Sequence, residues 1–404
     1  MISTELCTEL RKCVRCGACK TLCPTYHLTY NESFGARGRV VLLGELCTEK
    51  LAPNKKLAER IYSCMLCEAC KGVCPTGINI PEVMYQGRAL LKKSYKKGYM
   101  SKKALRTAIT NMGSSMPFVR IFQKLLYRPF YRAFGLRYFP EIASRPFNKN
   151  IQVYKNVKKK GRIAIFAGCN VNYFYPNLGY SLSNVLLSKG YEVVVFKGEE
   201  CCGAPLRSMG LEDEASDMAG RNLDHFNRVR ADAIISLCPT CTLVIRDQYP
   251  LIVGDTISNI MDINEFLIKF DFIHDLEALP GVVTYHDPCH LSHGLGVREQ
   301  PRKILNSIGG LEYREMKHAD ECCGFAGLFS MQFKDMANTI GMKKIENISN
   351  TTADTVVTSC PGCIMQLESL CRKANLRINI KHMVEVFDEA IHGHENNKDQ
   401  GSAP

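Results

Sequence analysis

Hydrophobic residues in the C-terminal half of the chain follow two alternating periodicities. Short β-branched runs, such as AIIS (233–236) and TVVTS (355–359), are typical of strands buried in a parallel sheet. Stretches with helical spacing, such as AGRNLDHFNRVRA (219–231), separate them. The order strand, helix, strand, helix, strand therefore predicts an α/β unit with largely parallel strands.

This α/β pattern occurs twice along the chain. Three cysteine positions recur with offsets of 120, 121 and 122 residues, in the pairs Cys169/Cys289, Cys201/Cys322 and Cys238/Cys360. Because the offset drifts by only two residues, we interpret the pattern as an internal repeat. It predicts one unit over residues 161–280 and a second over residues 281–393. The cysteines follow the C-terminal ends of predicted strands, where open α/β sheets usually carry their sites.

The composition narrows the class of protein. The chain has 404 residues, of which 46% are hydrophobic and 23% charged, which is typical of a folded protein with two to three domains. No apolar run approaches the ~18 residues of a membrane span, which excludes a membrane pump or channel. The N-terminal MISTELCTELRKC lacks the apolar core of a signal peptide. The chain has 21 cysteines, and we therefore expect them to be reduced thiols, most of them with metal or redox roles.

Cysteines and charges divide the chain unevenly. Residues 1–87 hold ten cysteines, the next ~70 residues hold none, and eleven follow Gly161. Of the net charge of +12, the stretch from Arg88 to Arg162 contributes +19, because it has 20 Lys and Arg and one acid. These breaks predict a cysteine-rich domain over 1–87, a basic helical connecting segment over 88–160, and a disordered tail over 394–404.

Two motifs of the bacterial ferredoxin type lie in the first domain. Both have the spacing C-x2-C-x2-C-x3-C-P. In paired motifs of this kind, three cysteines bind one [4Fe–4S] cube and the fourth binds the other cube. The predicted ligand sets are Cys13, Cys16, Cys19 and Cys74 for the first cluster, and Cys64, Cys67, Cys70 and Cys23 for the second. A four-cysteine zinc site and disulfides are the alternatives, but structural zinc usually joins two separated C-x2-C knuckles.

Each C-terminal unit carries a lone cysteine, a Cys-Cys-Gly (CCG) triplet and a C-P-x-C motif. The resulting sets are Cys169, Cys201, Cys202, Cys238 and Cys241 for CCG site 1, and Cys289, Cys322, Cys323, Cys360 and Cys363 for CCG site 2. Five thiolates exceed what one zinc ion or a standard cube requires. The surplus indicates an unusual iron–sulfur cluster or a redox-active thiol pair beside one. A zinc site and plain buried cysteines are the alternatives.

Some candidate residues fit no motif clearly. His286 and His290 flank Cys289, and the first unit lacks this pair. These histidines could tune a cluster, carry protons or serve the structure alone. We expect structural roles for Cys7, Cys47 and Cys371, which lie outside every motif.

The ordered set of two ferredoxin-type motifs and two CCG units resembles one family over about residues 5–392. It is the iron–sulfur subunit family of glycolate oxidase and anaerobic glycerol-3-phosphate dehydrogenase, which extends to the D subunit of heterodisulfide reductase. The segments that resemble the glycolate and D-lactate branch are CPTY (23–26), GARGR (35–39), HDPCHLSHGLGVRE (286–299) and CPGCIMQLE (360–368). Ala36 stands in GARGR where that branch usually has proline. GCNVNYFYPNLG (168–179) and RDQYP (246–250) are more similar to the glycerol-3-phosphate branch.

The resemblance implies an α+β fold: a mainly α-helical 2×[4Fe–4S] ferredoxin domain followed by two repeated α/β CCG domains. It also implies that complete CCG sets bind one or two further [4Fe–4S] clusters of non-cubane type. Members of the family pass electrons from a separate FAD-bearing dehydrogenase subunit toward the membrane quinone pool. No dinucleotide-binding G-x-G-x-x-G and no Walker loop occur here, so we expect no flavin or NAD in this chain.

The expected function is therefore electron transfer within a dehydrogenase complex that oxidises glycolate or D-lactate. The corresponding subunit of anaerobic glycerol-3-phosphate dehydrogenase is the close alternative. A thiol–disulfide reductase of the heterodisulfide type is a second hypothesis, and a soluble carrier or structural zinc protein is a third.

The basic segment contains a pattern of its own. Five apolar residues share one helical face, namely Phe118, Ile121, Phe122, Leu125 and Leu126. Four basic residues recur every four positions on another face, namely Arg120, Lys124, Arg128 and Arg132. This pattern predicts a helix that docks on an anionic membrane, at the cytoplasmic face of the cell membrane. A helix packed on its own domain is the alternative, and nucleic acid is not expected as a partner because no binding motif accompanies the charge.

Overall fold

The computed structural model combines helices with two parallel sheets, which confirms the predicted mixture of helical and α/β parts. It describes residues 3–95, 99–127, 139–150, 153–154, 160–257 and 259–393. Within these ranges, the predicted CCG units each contain one sheet.

The N-terminal part is helical. Its helices are α1 (Thr4–Arg11), α2 (Pro24–Thr29), α3 (Ala36–Cys47), α4 (Lys55–Tyr62) and α5 (Ile80–Leu91). Leu43, Ile61 and Met84 are buried between them. Helix α5 continues past residue 87, the predicted end of this domain, because its last turn still carries the buried residues Arg88 and Leu91.

The basic segment forms a helical pair. Helices α6 (Tyr99–Thr110) and α7 (Met112–Phe122) are followed by a π-helical turn (Gln123–Tyr127) and by α8 (Phe147–Asn150). The side chain of Gln123 donates to the Pro140 carbonyl at 2.7 Å and accepts from the Ile142 amide at 2.9 Å. The side-chain amide of Gln123 therefore links the end of α7 to residues 140–142.

The first CCG unit is built on a five-stranded sheet with the order β1-β3-β2-β4-β5. Its strands are β1 (Val153–Tyr154), β2 (Arg162–Phe166), β3 (Glu192–Val195), β4 (Ala233–Ser236) and β5 (Ile260–Asp262). Its helices are α9 (Gly168–Tyr173), α10 (Pro176–Ser188), α11 (Ala204–Met209), α12 (Glu212–Arg228), α13 (Pro239–Leu243), α14 (Tyr249–Val253) and α15 (Ile263–Lys269). All strand pairs are parallel except the pair of β1 and β3. Strand β1 lies before residue 161, in the segment that was expected to be a helical connection.

The second CCG unit has a four-stranded, fully parallel sheet with the order β7-β6-β8-β9. Its strands are β6 (Gly281–His286), β7 (Leu311–Tyr313), β8 (Thr355–Thr358) and β9 (Asn379–His382). Its helices are α16 (Glu299–Ser307), α17 (Leu328–Gln332), α18 (Lys334–Ser349), α19 (Pro361–Lys373) and α20 (Met383–His392), and a π-helical turn spans His290–Gly294.

The two CCG units share one hydrophobic core. Leu182 and Phe266 of the first unit and Phe387 of the second are fully buried in the same cluster. His382 donates from Nε2 to the carbonyl of Leu237 at 2.9 Å, directly before Cys238. This shared core brings the C-terminal ends of strands from both sheets together.

One cysteine expectation is wrong. Cys7 of α1 and Cys47 of α3 form a disulfide, so these two residues are not reduced thiols. The bond joins two helices that already pack against each other through Leu6 and Leu43. Cys371 is a buried free thiol in α19.

Candidate metal centres

The first ferredoxin-type motif surrounds a small cavity. Cys13, Cys16, Cys19 and Cys74 all line it. Gly17 adopts a left-handed backbone conformation with φ of 89°, which allows the tight loop between the cysteines. Burial and the neighbouring thiols of Cys13 and Cys23 raise the pKa of Cys19 to about 11. Such mutual repulsion is relieved when a cation or a cluster binds the thiolates.

A second cavity lies around the other motif. Cys64, Cys67 and Cys70 line it together with Cys23, which comes from the first motif. Cys23 is the residue before α2, and Pro24 begins that helix. Proline suits this first helical position because the missing amide hydrogen would have no partner there. The fold therefore groups the fourth cysteine of each motif with the first three cysteines of the other.

The GARGR segment braces both cysteine loops. Arg39 is almost completely buried and donates to the Arg60 carbonyl and to the hydroxyls of Thr25 and Ser63. Arg37 donates to the carbonyl of Arg15, inside the loop of the first motif. In the sequence, this motif was only one of the segments that resemble the family. The structure shows that its two arginines bind residues that are distant in the chain.

CCG site 1 is assembled from the ends of β2, β3 and β4. The thiols of Cys169 and Cys201 are hydrogen-bonded at 3.8 Å. Cys202 contacts both Cys201 and Cys241, and these two hydrogen bonds lower the pKa of Cys202 to about 6. Gly203 supplies the left-handed turn after the paired cysteines, with φ of 88°. All five cysteines of the predicted set therefore lie in one connected group, completed by the Cys241–Cys238 contact.

CCG site 2 repeats this arrangement. Cys289 contacts Cys322, and Cys322 contacts Cys323. The thiols of Cys323 and Cys363 lie 3.5 Å apart, and Cys363 also contacts Cys360. Interactions with Cys322 and Cys363, and a smaller contribution from His286, hold the pKa of Cys323 well below its usual range. A thiolate is thus favoured within each buried group, which is the state that binds metal.

The thiol groups are linked to one another. Cys238 of site 1 interacts with Cys360 of site 2, which lowers the pKa of Cys238 and raises that of Cys360. Cys289 of site 2 lies beside Cys67 of the second ferredoxin-type cavity and, after burial, contributes to raising the pKa of that thiol. Both residues also line one cavity of about 130 Å³. The second ferredoxin-type site and both CCG sites therefore form one continuous series of sulfur atoms.

The two histidines beside Cys289 differ in their surroundings. His290 donates from Nε2 to the Leu66 carbonyl at 2.8 Å and accepts at Nδ1 from the Thr240 hydroxyl at 2.8 Å. It therefore joins the N-terminal part to both CCG units. His286 is fully buried, and neither of its ring nitrogens has a hydrogen-bond partner among the described residues.

A large cavity opens beside CCG site 1. Its volume is about 830 Å³, and Cys169 and Cys201 form part of its wall. Half-buried Glu199 also lines it and accepts from the amides of Ala167 and Gly168. Desolvation raises the pKa of Glu199 to about 8. No sequence motif indicated this cavity, because its residues come from four helices (α6 to α9), the π-helical turn after α7 and connecting loops.

The residues predicted to face a membrane have mixed positions. Arg120 and Lys124 line the large cavity, and Nε of Arg120 is buried without a partner among the described residues. Arg120 therefore lies in a cavity wall rather than on a free surface. Lys124 also pairs with Glu141 at 3.5 Å. Arg128 and Arg132 lie outside the described residues.

The apolar face of α7 and the following turn is exposed. Its exposed fractions are 73% for Phe118, 57% for Ile121, 56% for Phe122 and 69% for Leu125. A helix packed on its own domain would bury these side chains, so the alternative interpretation of this stripe is wrong for these four residues. In the described part of the chain, no helix combines the length and apolarity of a membrane span.

Comparison with protein families identifies the class that these sites define. A 4Fe-4S dicluster domain matches residues 9–78, and a cysteine-rich CCG domain matches twice, over residues 163–246 and 283–368. The chain is thus an iron–sulfur protein with a ferredoxin-type domain and two CCG domains.

Several relatives match almost the whole chain. The B subunit of fumarate reductase (CoM/CoB) from Methanothermobacter marburgensis is 30% identical over 95% of this chain and 72% of its own length. A probable glycolate oxidase iron-sulfur subunit of Bacillus subtilis is 26% identical over 96% and 95% of the two chains. The D subunit of a heterodisulfide reductase from Methanosarcina acetivorans is 28% identical over 95% and 93%. The chain belongs to the CCG-domain iron–sulfur subunit family that includes the glycolate oxidase and heterodisulfide reductase subunits.

The relatives are oxidoreductase subunits, so the chain has the general character of an electron-transfer component of such a complex. Among solved structures, a hypothetical protein from Helicobacter pylori matches 99% of this chain and 75% of its own with a TM-score of 0.56. At 14% identity, that likeness shows a shared fold alone.

Proposed function

We propose that the chain is the iron–sulfur subunit of a membrane-associated flavoprotein dehydrogenase complex that oxidises a 2-hydroxy acid, glycolate or D-lactate. The observation that carries the proposal is the continuous series of sulfur atoms from the second ferredoxin-type cavity through both CCG sites. Because electron transfer depends on short distances between centres, such a series suits a relay. The full-length likeness to the Bacillus subtilis subunit supports the substrate class, and glycerol-3-phosphate is the alternative substrate.

The proposed cofactors follow the cysteine groups. Cys13, Cys16, Cys19 and Cys74 bind one [4Fe–4S] cluster, and Cys23, Cys64, Cys67 and Cys70 bind a second. Each CCG set binds a further [4Fe–4S] cluster of non-cubane type. The buried thiols in each group fit a cluster because they lie in mutual contact and repel one another as thiolates. When bound, the clusters supply one-electron transfer.

Electrons enter from a partner subunit. That partner carries FAD, which takes two electrons from the 2-hydroxy acid as it becomes a 2-oxo acid. Cys16 is exposed, and its neighbour Val14 is 65% exposed. Both features support docking of the flavoprotein at the first cluster. From there the path runs through the second cluster and CCG site 2 to CCG site 1.

Electrons leave at the large cavity beside CCG site 1. Its volume of about 830 Å³ is within the range of small-molecule sites, and mixed apolar and polar walls suit a quinone. Ile121 contributes both to this cavity and to the exposed apolar face of α7. An acceptor dissolved in the bilayer would therefore reach the cavity where that face meets the inner surface of the cell membrane.

Anaerobic co-purification from the native host tests the proposal. We expect a flavoprotein subunit to accompany the chain, and we expect the complex to reduce a quinone analogue with glycolate or D-lactate. Iron, acid-labile sulfide and flavin are measured in the same preparation. Zinc without iron, or the absence of any flavoprotein partner, would contradict the proposal.

A second candidate is a thiol–disulfide reductase in which CCG site 1 is the reaction centre. The observation that favours it is the direct access from the large cavity to Cys169 and Cys201. Reduction of an organic disulfide by the purified chain, with a chemical electron donor, would support this second function. Quinone reduction without disulfide turnover would support the first.

A further inference from the structure

We infer that His286 is a metal ligand in CCG site 2, which makes that site a mixed imidazole and thiolate centre. A ring nitrogen of His286 and the Sγ atoms of Cys323 and Cys363 all lie within 4.8 Å of one another. All three residues are buried. Imidazole nitrogen and thiolate sulfur are the donor pair that proteins use for zinc and for some iron–sulfur clusters.

The group on which the His286 imidazole acts is the thiol of Cys323, a predicted ligand of CCG site 2. His286 is the last residue of strand β6, lies next to Cys323 and Cys363, and is 0% exposed. Neither ring nitrogen meets the geometry of a hydrogen bond with a described residue, although the imidazole is close enough to Cys323 to help lower the pKa of that thiol. Buried polar groups normally have a partner, so an orphaned imidazole next to two thiols requires an explanation. A metal atom between these donors provides one.

Other buried histidines of this fold are satisfied. His382, which ends strand β9 of the same sheet, donates to the Leu237 carbonyl and accepts from the Val384 amide. His290 is bonded at both nitrogens to Leu66 and Thr240. Orphaned nitrogens are therefore not a general property of histidines in this part of the molecule.

The internal repeat shows that the two CCG units differ at the position of His286. Phe166 occupies the position in the first unit that corresponds to His286, since both residues precede the lone cysteine of their unit by three positions. Phe166 is fully buried and packs on Phe226, with ring centroids 5.5 Å apart. An apolar ring therefore suits this end of the strand. The second unit has a polar ring there, and its polar atoms reach the thiols of its own site.

The inference distinguishes the two CCG sites. Site 1 has thiols alone, whereas site 2 adds one nitrogen ligand. The inference relies on the proposed function only in taking site 2 to be a metal-binding site, and it applies equally to iron of a cluster and to zinc.

The test compares the full-length chain, prepared anaerobically, with two variants. His286→Phe reproduces the first unit, and His382→Gln removes another buried histidine of the second unit as a control. Pulsed EPR of the reduced proteins, with and without 15N-labelled histidine, detects nitrogen bound to a paramagnetic cluster. X-ray absorption at the iron and zinc edges detects nitrogen at either metal.

We expect one histidine nitrogen signal in the parent and in His382→Gln, and its loss in His286→Phe. If His286→Phe fails to fold, the comparison of the parent protein with and without 15N-labelled histidine still tests for a histidine ligand. A metal-loaded site 2 with sulfur ligands alone would overturn the inference and leave the proposed function intact. Iron and zinc contents accounted for entirely by the other sites would overturn both.

Discussion

Cys238 and Cys360 lie 122 residues apart in the sequence, yet their thiols are close enough to change each other's pKa. Cys238 immediately precedes α13 and Cys360 immediately precedes α19, and both helices start with proline. The positive end of a helix stabilises a thiolate at this position. The contact therefore joins the two CCG sites through equivalent residues of the repeat.

The crossed arrangement of the ferredoxin-type cysteines predicts a selective effect. Replacing Cys23 by Ala should damage the cluster of Cys64, Cys67 and Cys70 and leave the cluster of the first motif better preserved. Cys74→Ala is the matched control, with the opposite selectivity. EPR of the reduced variants measures both signals. Loss of the first cluster in Cys23→Ala would show that each motif binds its own cube.

Iron content tests the CCG sites. We expect more than roughly eight iron atoms per chain in anaerobically prepared protein, because two cubes account for about that number. Cys323→Ala should lose iron while the ferredoxin-type EPR signals persist. Cys371→Ala is the control, since that thiol is also buried but lies outside both sites. Equal iron in the parent and in Cys323→Ala would place the CCG cysteines in a structural role.

Substrate oxidation should require the partner subunit. The isolated chain, free of flavin, should not reduce an artificial dye with glycolate, D-lactate or glycerol-3-phosphate, because hydride chemistry needs an organic cofactor. Addition of the flavoprotein should restore dye reduction. Turnover by the pure, flavin-free chain would contradict the assignment of this step to a partner.

Membrane docking should depend on the exposed apolar face of α7. We expect the chain to sediment with phosphatidylserine vesicles at low salt and to be released at high salt, because lysines and arginines contribute on the order of 1 kcal/mol each near an anionic surface. Ile121→Glu should abolish binding. Leu251→Glu is the matched control, because Leu251 is also 57% exposed and lies on α14. Equal binding of the Ile121 variant and the parent would indicate a protein partner for this face.

A buried ion pair connects the ferredoxin-type part to the first CCG unit. Arg207, 1% exposed, donates to both carboxylate oxygens of Glu82 in α5 and to Glu212. Arg207→Met should lower the free energy of unfolding by about 3–5 kcal/mol, since it leaves two carboxylates without their partner. Arg221→Met removes a more exposed pair with Glu200 and should cost less than about 1 kcal/mol. Denaturant titration measures both, and similar losses would contradict the role of burial.

The parallel sheets could be predicted because buried strands and amphipathic helices leave different periodicities in the sequence. Because the strands could be predicted, it could also be predicted that Cys238 and Cys360 follow the C-terminal ends of strands. Strand β1 was missed, because two residues that pair at a sheet edge leave no periodic signal. The pairing of Cys7 with Cys47 was also missed, since neither residue belongs to a motif.

The candidate site was predictable only where its residues are close in sequence. The cysteine groups follow from short motifs and from the repeat. The large cavity does not, because Arg120, Glu199 and Cys169 meet there only through tertiary packing. His286 stood out in the sequence, but only the structure separates its orphaned nitrogens from the satisfied ones of His290.

The interaction between Cys238 and Cys360 also couples the two repeats to each other. A substitution at either cysteine changes the electrostatic environment of both sites. The copies differ at the strand ends beside this contact, where Phe166 is paired in register with Ser236 and His286 with Thr358. The duplication therefore keeps equivalent thiols where its halves meet and gives each half a different ring next to them.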